Sequence, residues 1–328
     1  MLEQSKFMNL AHKWNYWKYR YKYNNAPLLN LKVPVDLSLE LSSACTLKCS
    51  YCYHSDPANL PFKKKLMDYD LAKSLIEQGA EIGVHSIKYN GRGESTMHPR
   101  FKDITALGKS LARGGTYIDR LTNSNFYFRQ NKEDIYEGLS HQTKVKVSFD
   151  SFIPEVFEKQ RTGAEYGLVY RNVDSFYNHP LRIKSETKIV IQAVRTLLNK
   201  DEDIETRVKG VWPEASVSVR DMVGGRVEKD VSEFEKVTRD NRPRQTCIQA
   251  HARAIVHSDG KIAPCCPAFK GDLIIGDANR DSLHTVFNSM IAKQLRIDLK
   301  TGAAFKSEPC KGCSSHESYK GFKPNKDS

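Results

Sequence analysis

The sequence predicts an α/β protein made of parallel βα units, followed by a smaller unit that carries its own cysteines. Three observations lead there. Six strand-like runs alternate with amphipathic helical patterns between residues 33 and 225, which is the rhythm of βα units. The rhythm stops at "MVGGRVEKD", where Gly224 and Gly225 interrupt it and a polar stretch follows. The eight cysteines form two groups, one early and one beyond that break. The expected division is an arm over residues 1–32, the main α/β domain over 33–225, and a small domain with its tail over 226–328.

The arm contains "HKWNYWKYRYKYNN", in which Trp14, Tyr16, Trp17, Tyr19, Tyr21 and Tyr23 interleave with Lys13, Lys18, Arg20 and Lys22. The alternation of Trp17, Tyr19, Tyr21 and Tyr23 is a one-faced extended pattern, so the arm is expected to wrap the main domain with rings inward and cations outward. Stacking on bases and phosphates is the other reading of that composition. The strands are then "VDLSLELS", "SIKYN", "YIDRLTNS", "TKVKVSFDS", "ETKIVIQAVRTL" and "ASVSVRDM". Between them stand "DLAKSLIEQGAEIG", "RFKDITALGKSLARGG", "KEDIYEGLS", "GLVYRNVDSFYNH" and "DEDIETRVKGV", with apolar residues at helical spacing. Periodicity alone leaves open whether the sheet closes toward a barrel. In the small domain, "HSDG" turns a hairpin between "ARAIVH" and "KIAP". One helix is expected after it on Leu283, Val286, Phe287 and Met290. The tail "KGFKPNKDS" reads as frayed.

A chain of 328 residues with 39% apolar content can bury a real core, which excludes a disulfide-stapled miniature. The N-terminus has no signal-peptide pattern and no window reaches eighteen consecutive apolar residues, so a cytosolic protein without a membrane partner is expected. Cysteines in a reducing compartment serve as metal ligands or reactive thiols more than as disulfides. A formal net charge of +12 permits an anionic partner without identifying one.

The stretch "ELSSACTLKCSYCYHSD" places Cys45, Cys49 and Cys52 within eight residues, just past the first strand. Parallel α/β folds collect their chemistry at that end of their strands. A structural zinc asks for four ligands, and His54 is the only local candidate for a fourth. Three thiolates can instead hold a four-iron cluster with one iron left open.

The spacing C-x3-C-x2-C, with Tyr51 just before the third cysteine, resembles the signature loop of radical S-adenosylmethionine (SAM) enzymes. That resemblance implies a partial (β/α)6 barrel and a [4Fe-4S] cluster on Cys45, Cys49 and Cys52. It also implies SAM chelated by the open iron and cleaved to methionine and a 5′-deoxyadenosyl radical, which takes a hydrogen atom from the substrate. Tyr51 would lie against the adenine. "YNGRGESTMHPRF" resembles the family's G-G-E-P loop, with Gly93 and Glu94 at the positions that hold the SAM ammonium, and departs from it at Arg92 and Ser95. "LTNSN" resembles the T-N-G turn and supplies Asn123. Ser148 and Asp150 would read the ribose, Arg161 would pair with the SAM carboxylate, and Gln192 would face the same cavity. Each polar match also has a plainer reading: Glu94 as a solvated loop acid, Asp150 as a helix cap before Pro154, Arg161 as a surface cation.

Beyond the break, Cys247, Cys265, Cys266, Cys310 and Cys313 form the second group. Cys247 and Cys265 lie near the open ends of the hairpin, and Cys310 and Cys313 make a C-x2-C knuckle. This arrangement resembles the twitch, or shortened SPASM, domain of the radical SAM family, a small α+β unit whose four cysteines bind an auxiliary [4Fe-4S] cluster. A zinc knuckle uses the same four ligands, Cys247, Cys265, Cys310 and Cys313. Cys266 is left over, either as a small buried filler or as a thiol that donates a hydrogen atom to a substrate radical.

The resemblance places hydrogen abstraction from a small polar or sugar-like molecule first, with dehydrogenation and the auxiliary cluster as electron acceptor. A peptide-modifying maturase or epimerase is the alternative, set second because the N-terminal segment is short for a leader-binding domain. A one-electron donor such as flavodoxin or ferredoxin is the implied partner. The SAM motif argues against a nucleic-acid-binding role.

Overall fold

Leu37 and Leu39 alternate with Asp36 and Ser38, and this two-residue period, repeated strand after strand, decides the architecture. The structure is a computed structural model that describes residues 2–56, 60–221, 246–306, 308–311 and 313. The expected break at Gly224 and Gly225 and the tail lie outside the described residues. The strands are β1 (Asp36–Leu39), β2 (Ser86–Tyr89), β3 (Asp119–Ser124), β4 (Lys144–Ser148), β5 (Lys188–Arg195) and β6 (Ser216–Asp221), with β7 (Arg253–Val256), β8 (Lys261–Ala263) and β9 (Gly276–Asp277) from the C-terminal region. They form one sheet in the order β6-β5-β4-β3-β2-β1-β7-β8-β9. Every pair from β1 to β6 is parallel, and the order advances without reversing.

That topology answers the question left open by periodicity. A doubly wound sheet reverses its strand order and takes helices on both faces. Here right-handed crossovers in one direction put the connecting helices on a single face, and the sheet curls around the other as a partial (β/α)6 barrel. Leu37, Leu39, Ile87, Val145, Val147, Ile189 and Ile191 point to the helix side and form one core with Leu75, Ile76, Ile104, Val169 and Val173. Burying each such side chain contributes about 1.5–3 kcal/mol. The opposite pleat leaves Asp36, Lys88, Asn123, Lys146, Ser148 and Gln192 on the concave face. The helices start where the sequence caps them: Asp68 accepts from the backbone of Asp70 and Leu71 at 2.9 and 3.1 Å, opening Tyr69–Glu81.

The hairpin beyond the break joins the same sheet. β7 pairs parallel with β1, and β8 turns back antiparallel at Ser258–Gly260, with Gly260 at φ 87°. A single helix does not follow it. The helix Leu283–Phe287 buries Leu283, Val286 and Phe287, then Ser289 caps a second helix, Met290–Thr301, and Met290 stands 78% exposed. The apolar spacing is continuous, but Ser289 accepts from Ala292 N at 3.2 Å and restarts the chain.

The N-terminal arm is also corrected: Leu2–Asn24 is a helix, not an extended strap. Its rings satisfy a second period. Tyr16, Tyr19 and Tyr23 fall three and four residues apart, no glycine or proline interrupts the run, and Tyr19 and Tyr23 are buried against Ala26, Val35, Ile248 and Ala252. Trp14, Trp17 and Tyr21 stack on one another along the outer side. Tyr19 lies beside Asp36, Asp119 and Ser86, so this helix closes the N-terminal mouth of the concave face. No helix among the described residues is long and apolar enough to cross a membrane.

Candidate functional site

The loop after β1 is stapled in place by backbone bonds. Lys48 N donates to Thr162 O at 2.9 Å, Ser50 N to Gln160 O at 3.1 Å, and Cys52 N to Cys49 O at 2.9 Å. Cys45, Cys49 and Cys52 lie on it outside any disulfide, Cys49 buried and the others half-buried. Two nitrogen donors reach their sulfurs: Asn125 Nδ2 lies 3.7 Å from Cys45 Sγ, and Arg161 Nη1 lies 3.8 Å from Cys49 Sγ. Burial pushes the Cys45 thiol up to about 12 and the Cys49 thiol up to about 11. Such thiols ionise when a metal displaces the proton, and the donors then offset the thiolate charge. His54 turns away from them, its Nε2 2.9 Å from Arg92 O.

Gly93 and Glu94 pack directly against this loop. A Cβ on Gly93 would come within 2.1 Å of Ala44 O and 2.5 Å of Ser42 O, so only glycine lets the two loops touch. Glu94 N then donates to Ala44 O at 2.9 Å. The Glu94 carboxylate is buried and accepts from Asn125 N at 2.8 Å and Thr96 Oγ1 at 2.8 Å. Burial pushes its pKa up despite those bonds. Asn125, which no pattern singled out, is thus joined to both loops, with its Nδ2 also 3.0 Å from Thr46 Oγ1.

Asp150 is fully buried and saturated. Arg161 donates to it through Nε at 2.6 Å and Nη2 at 2.9 Å, Tyr51 through its hydroxyl at 2.5 Å, and Val194 through its backbone N at 2.8 Å. The plainer readings do not fit: Asp150 caps nothing, because the helix Pro154–Gln160 has Ile153 at its N-cap; Arg161 and Glu94 are buried. A free ribose-reading carboxylate does not fit either, since both oxygens are spent on the chain itself. Ser148 ends β4 directly across from Gln192 on β5, both on the concave face. Asn123 lies on the same face in β3, and its Oδ1 is buried with no hydrogen-bond partner.

Arg92, the departure from the family pattern, has a structural role. Its backbone N donates to Glu40 Oε2 at 2.8 Å, and its guanidinium bonds both Glu40 oxygens at 2.8 and 2.7 Å. Glu40 also accepts from Ser258 N and Oγ at 3.0 Å, and His257 stands 3.6 Å away. Burial alone would raise the Glu40 pKa, but His257 and Arg92 hold it down at about 2. One buried carboxylate therefore ties the end of β1, the "GRGES" loop and the turn of the β7–β8 hairpin together.

The second thiol set lies at the other end of that hairpin. Cys247, Cys265, Cys310 and Cys313 line one cavity walled by Leu273, Leu295, Leu299 and Phe305. Cys247 caps the short helix leading into β7, Cys265 follows β8, and Cys313 N donates to Cys310 O at 3.3 Å. Cys266 is not a buried filler. It is exposed, with its thiol 3.4 Å from Gln249 Oε1, because adjacent residues on an extended segment face opposite ways and Cys265 takes the inner side. Among the described residues no three His, Cys, Asp or Glu side chains are gathered tightly enough to hold a single metal ion.

Residues 247–314 match the family model of the SPASM iron-sulfur cluster-binding domain. That match spans the segment that carries the second thiol set. Among curated proteins it resembles the PqqA peptide cyclase of Bradyrhizobium diazoefficiens, 31% identical over 118 residues, or 36% of this chain and 29% of that relative. Among solved structures the likeness in fold extends over most of the chain. Streptococcus suis SuiB bound to S-adenosylmethionine superposes with a TM-score of 0.63 at 16% identity, covering 86% of this chain and 71% of SuiB. BtrN in complex with AdoMet and 2-DOIA superposes with a TM-score of 0.55 at 18% identity, covering 86% of this chain and 93% of BtrN. SuiB has also been solved bound to the precursor peptide SuiA.

Proposed function

We propose that this chain is a radical SAM enzyme that holds a [4Fe-4S] cluster on Cys45, Cys49 and Cys52 and binds SAM beside it. An auxiliary [4Fe-4S] cluster sits on Cys247, Cys265, Cys310 and Cys313. The observation that carries the reading is that three cysteines on the loop after β1 meet two nitrogen donors, from Asn125 and Arg161, and the buried Glu94 of the loop after β2. When bound, the cluster and SAM supply a 5′-deoxyadenosyl radical that removes a hydrogen atom from a C–H bond.

The chain's residues hold and orient. Glu94, fixed by Asn125 and Thr96, presents a carboxylate to the SAM ammonium, and that charge opposes the burial effect that raises its pKa. Asp150 acts as a positioning residue, locking Arg161 against Cys49 and Tyr51 beside it. Ser148, Gln192 and Asn123 remain on the concave face as hydrogen-bonding groups. The first electron comes from an external donor such as flavodoxin or ferredoxin.

For the substrate, the likenesses to a peptide cyclase and to SuiB with its precursor peptide support a peptide at least as well as the small molecule placed first by sequence. The small polar molecule keeps support from the likeness to BtrN, solved with 2-DOIA. Exposed Cys266 serves as hydrogen donor only if the reaction is an epimerisation.

Electron paramagnetic resonance tests the cofactor assignment. Reconstituted, dithionite-reduced protein is expected to show two reduced clusters, one of which shifts its g values when SAM is added. The Cys45, Cys49, Cys52 triple alanine should keep only the SAM-insensitive signal. A wild-type spectrum indifferent to SAM would remove the assignment.

A further inference from the structure

The concave face below the three-cysteine loop holds more positive charge than it neutralises. Lys88, Lys144, Lys146, Arg220 and Arg253 share it by strand register with Asp36 and Asp119. Both carboxylates are already engaged: Asp36 by Lys88 and, at 3.7 Å, by Arg253; Asp119 by Lys144 at 3.9 Å. Lys146, in the middle of β4, makes no hydrogen bond or ion pair among the described residues. Burial, and then the charges of Arg220, Lys88 and Lys144, lower its pKa to about 8 against the opposing attraction of Asp119. Its register neighbour on β3 is Asn123, whose Oδ1 is buried without a partner. Two residues on, in the direction of the three-cysteine loop, comes Ser148 beside Gln192.

A partly buried ammonium whose cationic neighbours outweigh its one nearby carboxylate is unfavourable, and so is a buried amide oxygen without a donor. Here the two are adjacent. We propose that Lys146 and Asn123 form the seat for an anionic group of the substrate, a carboxylate or a phosphate, docked on the concave face below the SAM site. This rests on the proposed function and adds the charge class of the substrate. An anion there gives Lys146 a direct ion-pair partner and opposes the burial that lowers its pKa. The Asn123 amide, turned so that its NH2 faces the anion, donates to it, and its Oδ1 leaves the buried position where it has no donor. A neutral substrate would leave both groups uncompensated in a closed site. The seat accepts an acidic side chain of a peptide as readily as a phosphorylated small molecule.

The test uses reconstituted full-length protein at low ionic strength, titrated calorimetrically with glutarate and, separately, with inorganic phosphate, with and without SAM. At least one anion is expected to bind the wild type, and which one separates a carboxylate from a phosphate. Lys146→Met should weaken that binding by about tenfold or more, as loss of a charge-assisted contact does. Lys146→Arg should keep it, and SAM affinity should stay unchanged in both. Lys146→Gln gives the same reading if the methionine variant folds poorly. Failure of both anions to bind the wild type, or undiminished binding by Lys146→Met and Lys146→Gln, overturns the seat. A loss of SAM affinity in the lysine variants overturns it too, because Lys146 would then serve the cofactor. Anion binding without SAM cleavage in the wild type would count against the proposed function and leave the seat standing.

Discussion

Arg92 and Gly93 are adjacent and exacting in opposite ways. Arg92 compensates a carboxylate, Glu40, that is wholly buried, so Arg92→Ala leaves an unpaired charge and should cost about 3–5 kcal/mol of stability. The pH dependence has a defined sign. Glu40 drops from its ordinary 4.5 to about 2 on folding, so its contribution is complete above 4.5 and is lost as pH falls from there toward 2. Arg92→Ala should therefore move acid unfolding, followed by circular dichroism, to higher pH; an unchanged acid midpoint would show that Glu40 does not depend on Arg92. Gly93→Ala forces a methyl against Ala44 O and Ser42 O and should lower stability by about 1–3 kcal/mol, read as a fall in thermal midpoint. Glu94→Ala should weaken SAM binding by about 1.5–3 kcal/mol, and unchanged affinity would mean that the loop has another role. The sequence made Gly93 and Glu94 legible because both lie in one contiguous stretch, "GRGES", that resembles a known loop. It could not show Glu40 meeting Ser258, 218 residues away, or Asn125 meeting Cys45, 80 residues away.

The strands were legible as elements because each alternates two-residue polar and apolar steps against one-sided helices, as in "TKVKVS". The N-terminal segment misled because aromatic residues satisfy a strand period at Trp17, Tyr19, Tyr21 and Tyr23 and a helical one at Tyr16, Tyr19 and Tyr23. Burial separates the two. Tyr19→Ala should cost about 3–5 kcal/mol, the range for a large buried aromatic, whereas Trp14→Ala on the outer stack should change stability by about 0.5 kcal/mol or less. Equal losses at the two positions, measured by chemical denaturation, would contradict the helical face. Met290 failed for a related reason: its spacing continued the pattern, but Ser289 had already started a new helix.

Across the whole molecule, β1 and β7 run parallel and link two thiol sets placed at opposite ends. The three-cysteine loop follows the C-terminal end of β1, and Cys247 and Cys265 lie beyond the opposite ends of β7 and β8. The concave face with Lys146 spans the space between them, closed at its N-terminal mouth by the helix carrying Tyr19 and Tyr23. Two separate sites predict about eight irons per chain after reconstitution, with about half retained when Cys45, Cys49 and Cys52 are all alanine. One cluster accompanied by one zinc would overturn the auxiliary assignment. The most direct measurement of the central claim is product analysis after dithionite reduction with SAM. Wild-type protein should release 5′-deoxyadenosine and methionine in equal amounts, and the triple alanine should release neither. Equal 5′-deoxyadenosine from the triple alanine, or none from a wild type with both clusters in place, would contradict the claim.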